Sequence, residues 1–136
     1  LYQGVKGMSA AARIIRPGGT IILAAECSDG IPTGSPYDLL LREESSIEGV
    51  LARLATPGFS QPEQWQAQLQ GVVQSKARVL VHSSLPEDLL RRAHLEPCPD
   101  IGEAVRTALL NSGPGARVAV LPLGPLTIPY LQSHED

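Results

Sequence analysis

Apolar residues at the start of the chain recur every three or four positions. Such spacing places them on one face of a helix, and it predicts a helix over residues 1–15. Pro17 and the two glycines that follow it end this helix. The residues that share the apolar face are Tyr2, Val5, Met8, Ala12 and Ile15.

Short apolar runs further along the chain predict strands. Thr20–Ala25 is apolar throughout and shows no alternation, a pattern typical of a strand buried on both faces of a parallel sheet. Pro122–Tyr130 contains too many prolines for a central strand. The other predicted strands are Arg78–His82, Arg117–Leu121 and a shorter one near Leu95.

Polar capping residues mark the helices between these strands. Ser35 precedes Pro36 as an N-cap, and Ser60 and Ser84 each have a Glu three residues later, which is a capping-box pattern. Asp100 is the fourth predicted cap. The predicted helices cover 36–41, 47–55, 60–75, 84–93 and about 101–110. We therefore expect residues 1–136 to form a single three-layer α/β domain, with a mainly parallel sheet of about four strands flanked by helices.

Composition narrows the class of protein. The 136 residues carry a formal net charge of −3, which argues against a broadly basic nucleic-acid-binding surface. No apolar run approaches the roughly 20 residues needed to cross a bilayer. Cys27 and Cys98 are too few for a disulfide framework or a four-ligand zinc site, so we expect reduced thiols in a cytoplasmic protein. Because the chain begins inside its first predicted helix, we also expect it to be part of a longer protein.

Gln3 and Lys6 are the first candidates for ligand binding. They lie three positions apart, so on a helix they share a face. An amide beside an ammonium group suits a carboxylate or hydroxy-acid ligand, by charge and hydrogen bonding together. A solvated helix face is the alternative interpretation of the same pair.

Trp65 is the only tryptophan, and it stands among glutamines. It predicts either a core anchor or the edge of a cleft, where the ring is apolar and its N–H is wet. Glu26, Cys27 and Asp29 follow the first strand, at the strand end where parallel sheets collect ligands. A structural turn is the alternative there. We assign no ligand or base role to the scattered His82, His94 and His134.

Several segments, taken in order, resemble the C-terminal domain of the nickel-dependent lactate racemase family, and together they span nearly the whole chain. Each segment is short, but the ordered set is specific. The segments are LYQGVKGMSAA at 1–11, RPGGTII at 16–22, AECSDG at 25–30, PGF at 57–59, QWQ at 64–66 and LPLGPLTIPY at 121–130.

This resemblance implies a two-domain enzyme with its active site between the domains. The expected cofactor is a nickel pincer nucleotide, bound mainly by an N-terminal domain that also supplies the histidines acting as metal ligand, acid and base. The implied reaction is racemisation or epimerisation of a 2-hydroxy acid by hydride transfer. Residues 1–136 would be the substrate-binding half, without the cofactor domain, and we expect this half to be inactive when isolated.

The resemblance also implies roles for four residues of this chain. Gln3 and Lys6 correspond to the family's substrate-contacting Gln and Lys, and Trp65 corresponds to its active-site Trp. Tyr2 stands where a site-lining Tyr is found. The small-molecule substrate and the protein's own N-terminal domain are the expected partners, with neither nucleic acid nor membrane.

Two other readings remain open at this point. Residues 11–20 followed by an apolar strand resemble the late part of a class I methyltransferase, although that match ends near residue 25. The chain could also be a stand-alone structural or binding domain without catalysis.

Overall fold

The computed structural model describes residues 1–132 and contains six helices and three strands in that range. The strands are β1 (Thr20–Ala24), β2 (Arg78–His82) and β3 (Glu96–Pro97). The helices are α1 (Gly4–Ala12), α2 (Pro36–Glu43), α3 (Ile47–Leu54), α4 (Gln64–Lys76), α5 (Glu87–Arg92) and α6 (Ile101–Ser112), followed by a 3-10 turn at Gly124–Leu126.

The sheet is parallel, in the order β1-β2-β3. Thr20 lies opposite Arg78, and Leu80 lies opposite Glu96. The predicted α/β class and parallel sheet are confirmed, and β3 corresponds to the short strand expected near Leu95. The described sheet has three strands rather than about four.

One face of the sheet, here called the first face, carries the core. Ile21, Val79 and Val81 point to this face and are buried, because alternate residues of a strand share a side. Helices α1 and α4 cover this face, and α2 and α3 pack on α4. The largest fully buried side chains in this layer include Tyr37, Met8, Leu40 and Leu41.

The second face, formed by Thr20, Ile22, Arg78 and Leu80, is covered more thinly. Helix α6 lies against β1, yet none of its residues is buried. The expectation that β1 is buried on both faces was therefore wrong, since only Ile21 of this strand is fully buried and Ala24 is exposed. Three layers are present, but the outer helix on this side is loosely packed.

The strand predicted at Arg117–Leu121 is not formed: the segment is irregular, and Val118 and Val120 are 58% and 77% exposed. Its residues favour a strand by propensity, but a strand also needs a sheet edge and a packed neighbour. Gly113 and Gly115, both with positive φ, redirect the chain just before this segment. The tail from 122 to 130 lies outside the sheet, as its prolines predict.

Two of the four predicted caps are confirmed. Ser35 Oγ accepts from the Asp38 N–H at 3.2 Å, and Asp100 Oδ1 accepts from the Glu103 N–H at 2.7 Å. The caps predicted at Ser60 and Ser84 were wrong, because those helices begin later, after Glu63 and Pro86, and have no side-chain cap. Ser84 instead donates its hydroxyl to the Glu26 carbonyl at 2.9 Å.

Within residues 1–132, each helix is too short or too polar to cross a membrane.

Candidate functional site

Helices α1 and α4 lie side by side and point the same way. At one end Lys76 Nζ donates to the Ala12 carbonyl at 2.6 Å, and at the other Gln66 Nε2 donates to the Tyr2 carbonyl. Each helix leads by a short connection into the start of a parallel strand. Both helix N-termini are therefore at the carboxyl edge of the sheet, where ligands bind in folds of this class.

Tyr2 is the centre of an aromatic cluster at this edge, formed by Tyr2, Tyr37 and Trp65. Its ring meets Trp65 edge to face, with centroids 5.8 Å apart and planes at 86°. It meets Tyr37 in the same way, at 5.8 Å and 82°. Edge-to-face packing places the positive rim of one ring on the negative face of the next. Residues 63 positions apart in sequence are thus held in direct contact.

Trp65 lies on the first turn of α4 and is 46% exposed. It is therefore not a core anchor, and the cleft-edge alternative describes its surroundings better. Just before it, Glu63 adopts a left-handed conformation with φ of 60°. The Glu63 carboxylate accepts from the Tyr37 N–H at 3.4 Å, which ties the start of α4 to α2.

Gln3 and Lys6 are both exposed at the start of α1. Gln3 is the N-cap residue, and its side chain makes no capping hydrogen bond. The Lys6 N–H donates to the Gln3 carbonyl at 3.2 Å, so the two residues occupy one turn. The first turn of α1 contains no acidic residue. Within residues 1–132, Lys6 forms no ion pair, and its charge is available to a ligand.

The loop after β1 reaches the same edge. The Leu1 backbone nitrogen donates to the Gly30 carbonyl at 2.8 Å, which joins this loop to the residue before Tyr2. Cys27 has a positive φ of 56° and packs partly against the core. Glu26 and Asp29 are exposed. The loop is a structural turn beside the aromatic cluster, and its role in lining a ligand site stays a prediction.

Comparison with known proteins identifies the family. The model of the lactate racemase C-terminal domain matches residues 1–128. The chain belongs to the lactate racemase C-terminal domain family. The family model covers nearly all of the described chain, whereas the resemblance to a class I methyltransferase ends near residue 25. The methyltransferase alternative was therefore wrong.

Two curated members of the lactate racemase family match the chain. The lactate racemase of Lactiplantibacillus plantarum is 35% identical over 132 residues, and that of Thermoanaerobacterium thermosaccharolyticum is 30% identical over 127 residues. Each alignment covers 91% of this chain and 30% of the relative. The chain therefore spans about a third of the length of these relatives.

A solved structure has the same fold. The lactate racemase apoprotein from Thermoanaerobacterium thermosaccharolyticum superposes with a TM-score of 0.70 at 31% identity. The match covers 79% of this chain and 26% of that one.

In this member of the lactate racemase family, the aromatic cluster rests on a buried polar network that sequence reasoning missed. The Tyr37 hydroxyl donates to Gln70 Oε1 at 2.5 Å, and Gln70 Nε2 donates to the Ala93 carbonyl at 2.7 Å. Burial, with smaller effects from Tyr2, Asp38 and Cys27, raises the pKa of the Tyr37 hydroxyl above its ordinary value. The four-residue spacing of Gln66, Gln70 and Gln74 was the available signal.

Two of the histidines have structural partners. His82 Nδ1 donates to the Cys98 carbonyl and His94 Nε2 donates to the Leu41 carbonyl, both at 2.7 Å. His134 lies outside the described residues. Across residues 1–132, no group of three or more His, Cys, Asp or Glu side chains could hold a metal ion. The described part of this domain therefore does not fit the role of a nickel site.

Proposed function

We propose that this chain is the substrate-binding half of a 2-hydroxy-acid racemase or epimerase of the lactate type. The observation that carries the proposal is the contact of Trp65 with Tyr2, directly beside Gln3 and Lys6 at the start of α1. Membership of the lactate racemase C-terminal domain family supports it. The activity belongs to the whole enzyme, in which an N-terminal domain completes the interdomain site.

Lys6 and Gln3 bind the substrate carboxylate in this proposal. The Lys6 ammonium neutralises the carboxylate, and the Gln3 amide donates a hydrogen bond that orients it. The N-terminus of α1 adds partial positive charge, and the absence of acid from its first turn leaves that charge uncancelled. Three separate features of one helix turn therefore favour a small anion.

The aromatic cluster provides the apolar wall of the proposed site. Trp65 is half-exposed and Tyr2 is partly buried, so together they present an apolar surface beside the bound carboxylate. Such a surface keeps water away from the carbon that reacts. Tyr37, wholly buried behind Tyr2, supports this wall from the core.

The nickel pincer nucleotide implied by the resemblance is assigned to the N-terminal domain. The described residues of this chain offer no metal site. Their proposed contribution is to bind the carboxylate, orient the substrate and exclude water.

The test uses the cofactor-loaded whole enzyme and removes the charge at Lys6 by Lys6→Met. A charge-assisted hydrogen bond is worth about 1.5–3 kcal/mol, so we expect KM for lactate, or for the 2-hydroxy acid that the enzyme accepts, to rise about 10- to 100-fold. Conversion of one pure enantiomer is followed by polarimetry. The matched control is Arg13→Met, which removes an exposed cation from the far end of the same helix.

Equal effects of Lys6→Met and Arg13→Met would show that general charge, rather than a carboxylate site at Lys6, is responsible. A wild-type enzyme that converts no 2-hydroxy acid would contradict the proposed function as a whole.

A further inference from the structure

Helix α4 carries three glutamines on the side that faces the protein interior. Gln66, Gln70 and Gln74 follow one another at four-residue spacing, and the first two are completely buried. Each uses its Nε2 to hold a backbone carbonyl of another segment. Gln74 binds His94 at 2.5 Å, Gln70 binds Ala93 at 2.7 Å, and Gln66 binds Tyr2.

Gln66 differs from Gln70 in what its other amide atom does. Gln70 Oε1 accepts from the Tyr37 hydroxyl at 2.5 Å, so both ends of that amide are used. Gln66 Oε1 is buried and has no hydrogen-bond partner within residues 1–132. A buried oxygen without a partner lowers stability. The Gln66 amide is therefore a poor choice for stability alone, and its remaining role is the bond to Tyr2.

That bond acts at the residue next to the proposed carboxylate site. Tyr2 immediately precedes Gln3, the N-cap of α1, which has no side-chain cap of its own. Trp65 holds the Tyr2 ring edge to face, and its neighbour Gln66 holds the Tyr2 carbonyl. Two consecutive residues of α4 thus contact Tyr2, one through its side chain and the other through its backbone.

We propose that Gln66 is a positioning residue, which sets the orientation of Gln3 and Lys6 relative to Trp65 by holding the Tyr2 carbonyl. This rests on the proposed function, because the benefit of the orientation is a well-placed carboxylate. Gln66 does not itself touch the substrate. Its contribution is to hold the exposed side chains of Gln3 and Lys6 at a fixed position relative to the aromatic wall.

The first test compares three Gln→Leu variants in the cofactor-loaded whole enzyme. Gln66→Leu should raise KM for the 2-hydroxy acid about tenfold and change kcat less. Gln68→Leu, on the exposed side of the same helix, should change neither. Gln70→Leu breaks the bonds to Tyr37 and Ala93, so it should lower the urea midpoint more than Gln66→Leu does.

A purely structural role predicts the reverse pattern, in which Gln66→Leu lowers the midpoint as much as Gln70→Leu and leaves KM unchanged. That result would overturn the inference. Where Gln66→Leu does not fold, Gln66→Met makes the same comparison, because it also lacks a donor.

The second test needs no activity and uses the 136-residue chain. In amide and indole NMR spectra, Gln66→Leu should shift the resonances of Gln3, Lys6 and Trp65, whereas Gln68→Leu should leave Gln3 and Lys6 in place. Unshifted Gln3 and Lys6 resonances in Gln66→Leu would refute the inference. An inactive wild-type enzyme would instead refute the proposed function, and the spectra would still decide the role of Gln66.

Discussion

The two faces of the sheet are covered in opposite ways. On the first face, helices α1 and α4 bury Val5, Met8 and Val73 almost completely. On the second face, α6 contributes no buried residue, and Leu110, the tenth residue of that helix, is 82% exposed. The segment beyond α6 also leaves large apolar side chains in solvent, at Val120, Leu123, Leu126, Ile128 and Tyr130, although its 3-10 turn at Gly124–Leu126 packs on α1.

This difference explains where the proposed site is built. Positions of side chains are defined to within a fraction of an ångström only where neighbours restrict their rotamers. Tyr2 lies just before α1 and Trp65 lies on the first turn of α4, the two helices that are packed on the core. Gln66 holds the Tyr2 backbone, and Tyr37 and Trp65 pack against the Tyr2 ring. The thinly covered side has no comparable constraint in the described part of the chain.

The largest predicted effect is the difference in stability between truncating a leucine on the first face and truncating one on the second. Leu40 is fully buried and Leu110 is exposed, so Leu40→Ala should lower the free energy of unfolding by about 2–5 kcal/mol. Leu110→Ala should change it by no more than about 0.5 kcal/mol. Urea denaturation of both variants measures the two values. Similar losses from both would mean that α6 packs as tightly as α2.

Two Tyr→Phe variants test the buried network, with a smaller expected change in the free energy of unfolding. Tyr37→Phe removes the donor to Gln70 Oε1, and a buried acceptor left without a partner costs about 1–3 kcal/mol. Tyr130→Phe, at an 81% exposed position, should be neutral within about 0.5 kcal/mol. Both are measured by urea denaturation at neutral pH.

The pH dependence of stability provides a second test of the buried Tyr37 hydroxyl. Burial raises the pKa of Tyr37 in the folded chain, so its contribution to stability is complete below about pH 10, where an unfolded tyrosine begins to ionise. The contribution is lost as the pH rises above that value, by up to about 1.4 kcal/mol per pH unit. Stability should therefore fall less steeply above pH 10 in Tyr37→Phe than in the wild type, and parallel curves would contradict the assignment.

The smallest predicted effect lies on the second face. Arg78 and Glu96 form a bidentate, half-exposed ion pair across β2 and β3, and such pairs are worth about 0–1 kcal/mol. Arg78→Met should cost no more than this, and the difference from wild type should shrink in high salt.

Acid weakens the same pair. The hydrogen bond from Arg78 lowers the pKa of Glu96, so the pair's contribution is complete above the ordinary pKa of Glu. It is lost as the pH falls through the lowered value. A larger loss in Arg78→Met, undiminished by salt or acid, would show that the arginine acts through packing instead.

The sequence alone determined the elements that depend on local physics. Helical periodicity, the Ser35 and Asp100 caps and the apolar runs of β1 and β2 act within a few residues, so they could be predicted without coordinates. Helical spacing also makes Gln3 and Lys6 candidates, and residue type makes Trp65 one, whereas Tyr2 and the roles of all four residues come from the family resemblance.

Only the tertiary structure decided which of these residues meet. Tyr2 contacts Trp65, and Gln66 donates to the Tyr2 carbonyl, although these residues are more than sixty positions apart in sequence. No local sequence pattern predicts contacts over such a separation. The same reason explains the failure at Arg117–Leu121, where strand propensity is high but no described sheet edge pairs with the segment. Propensity acts on a residue and its neighbours in sequence, whereas pairing and burial depend on what the rest of the chain brings alongside.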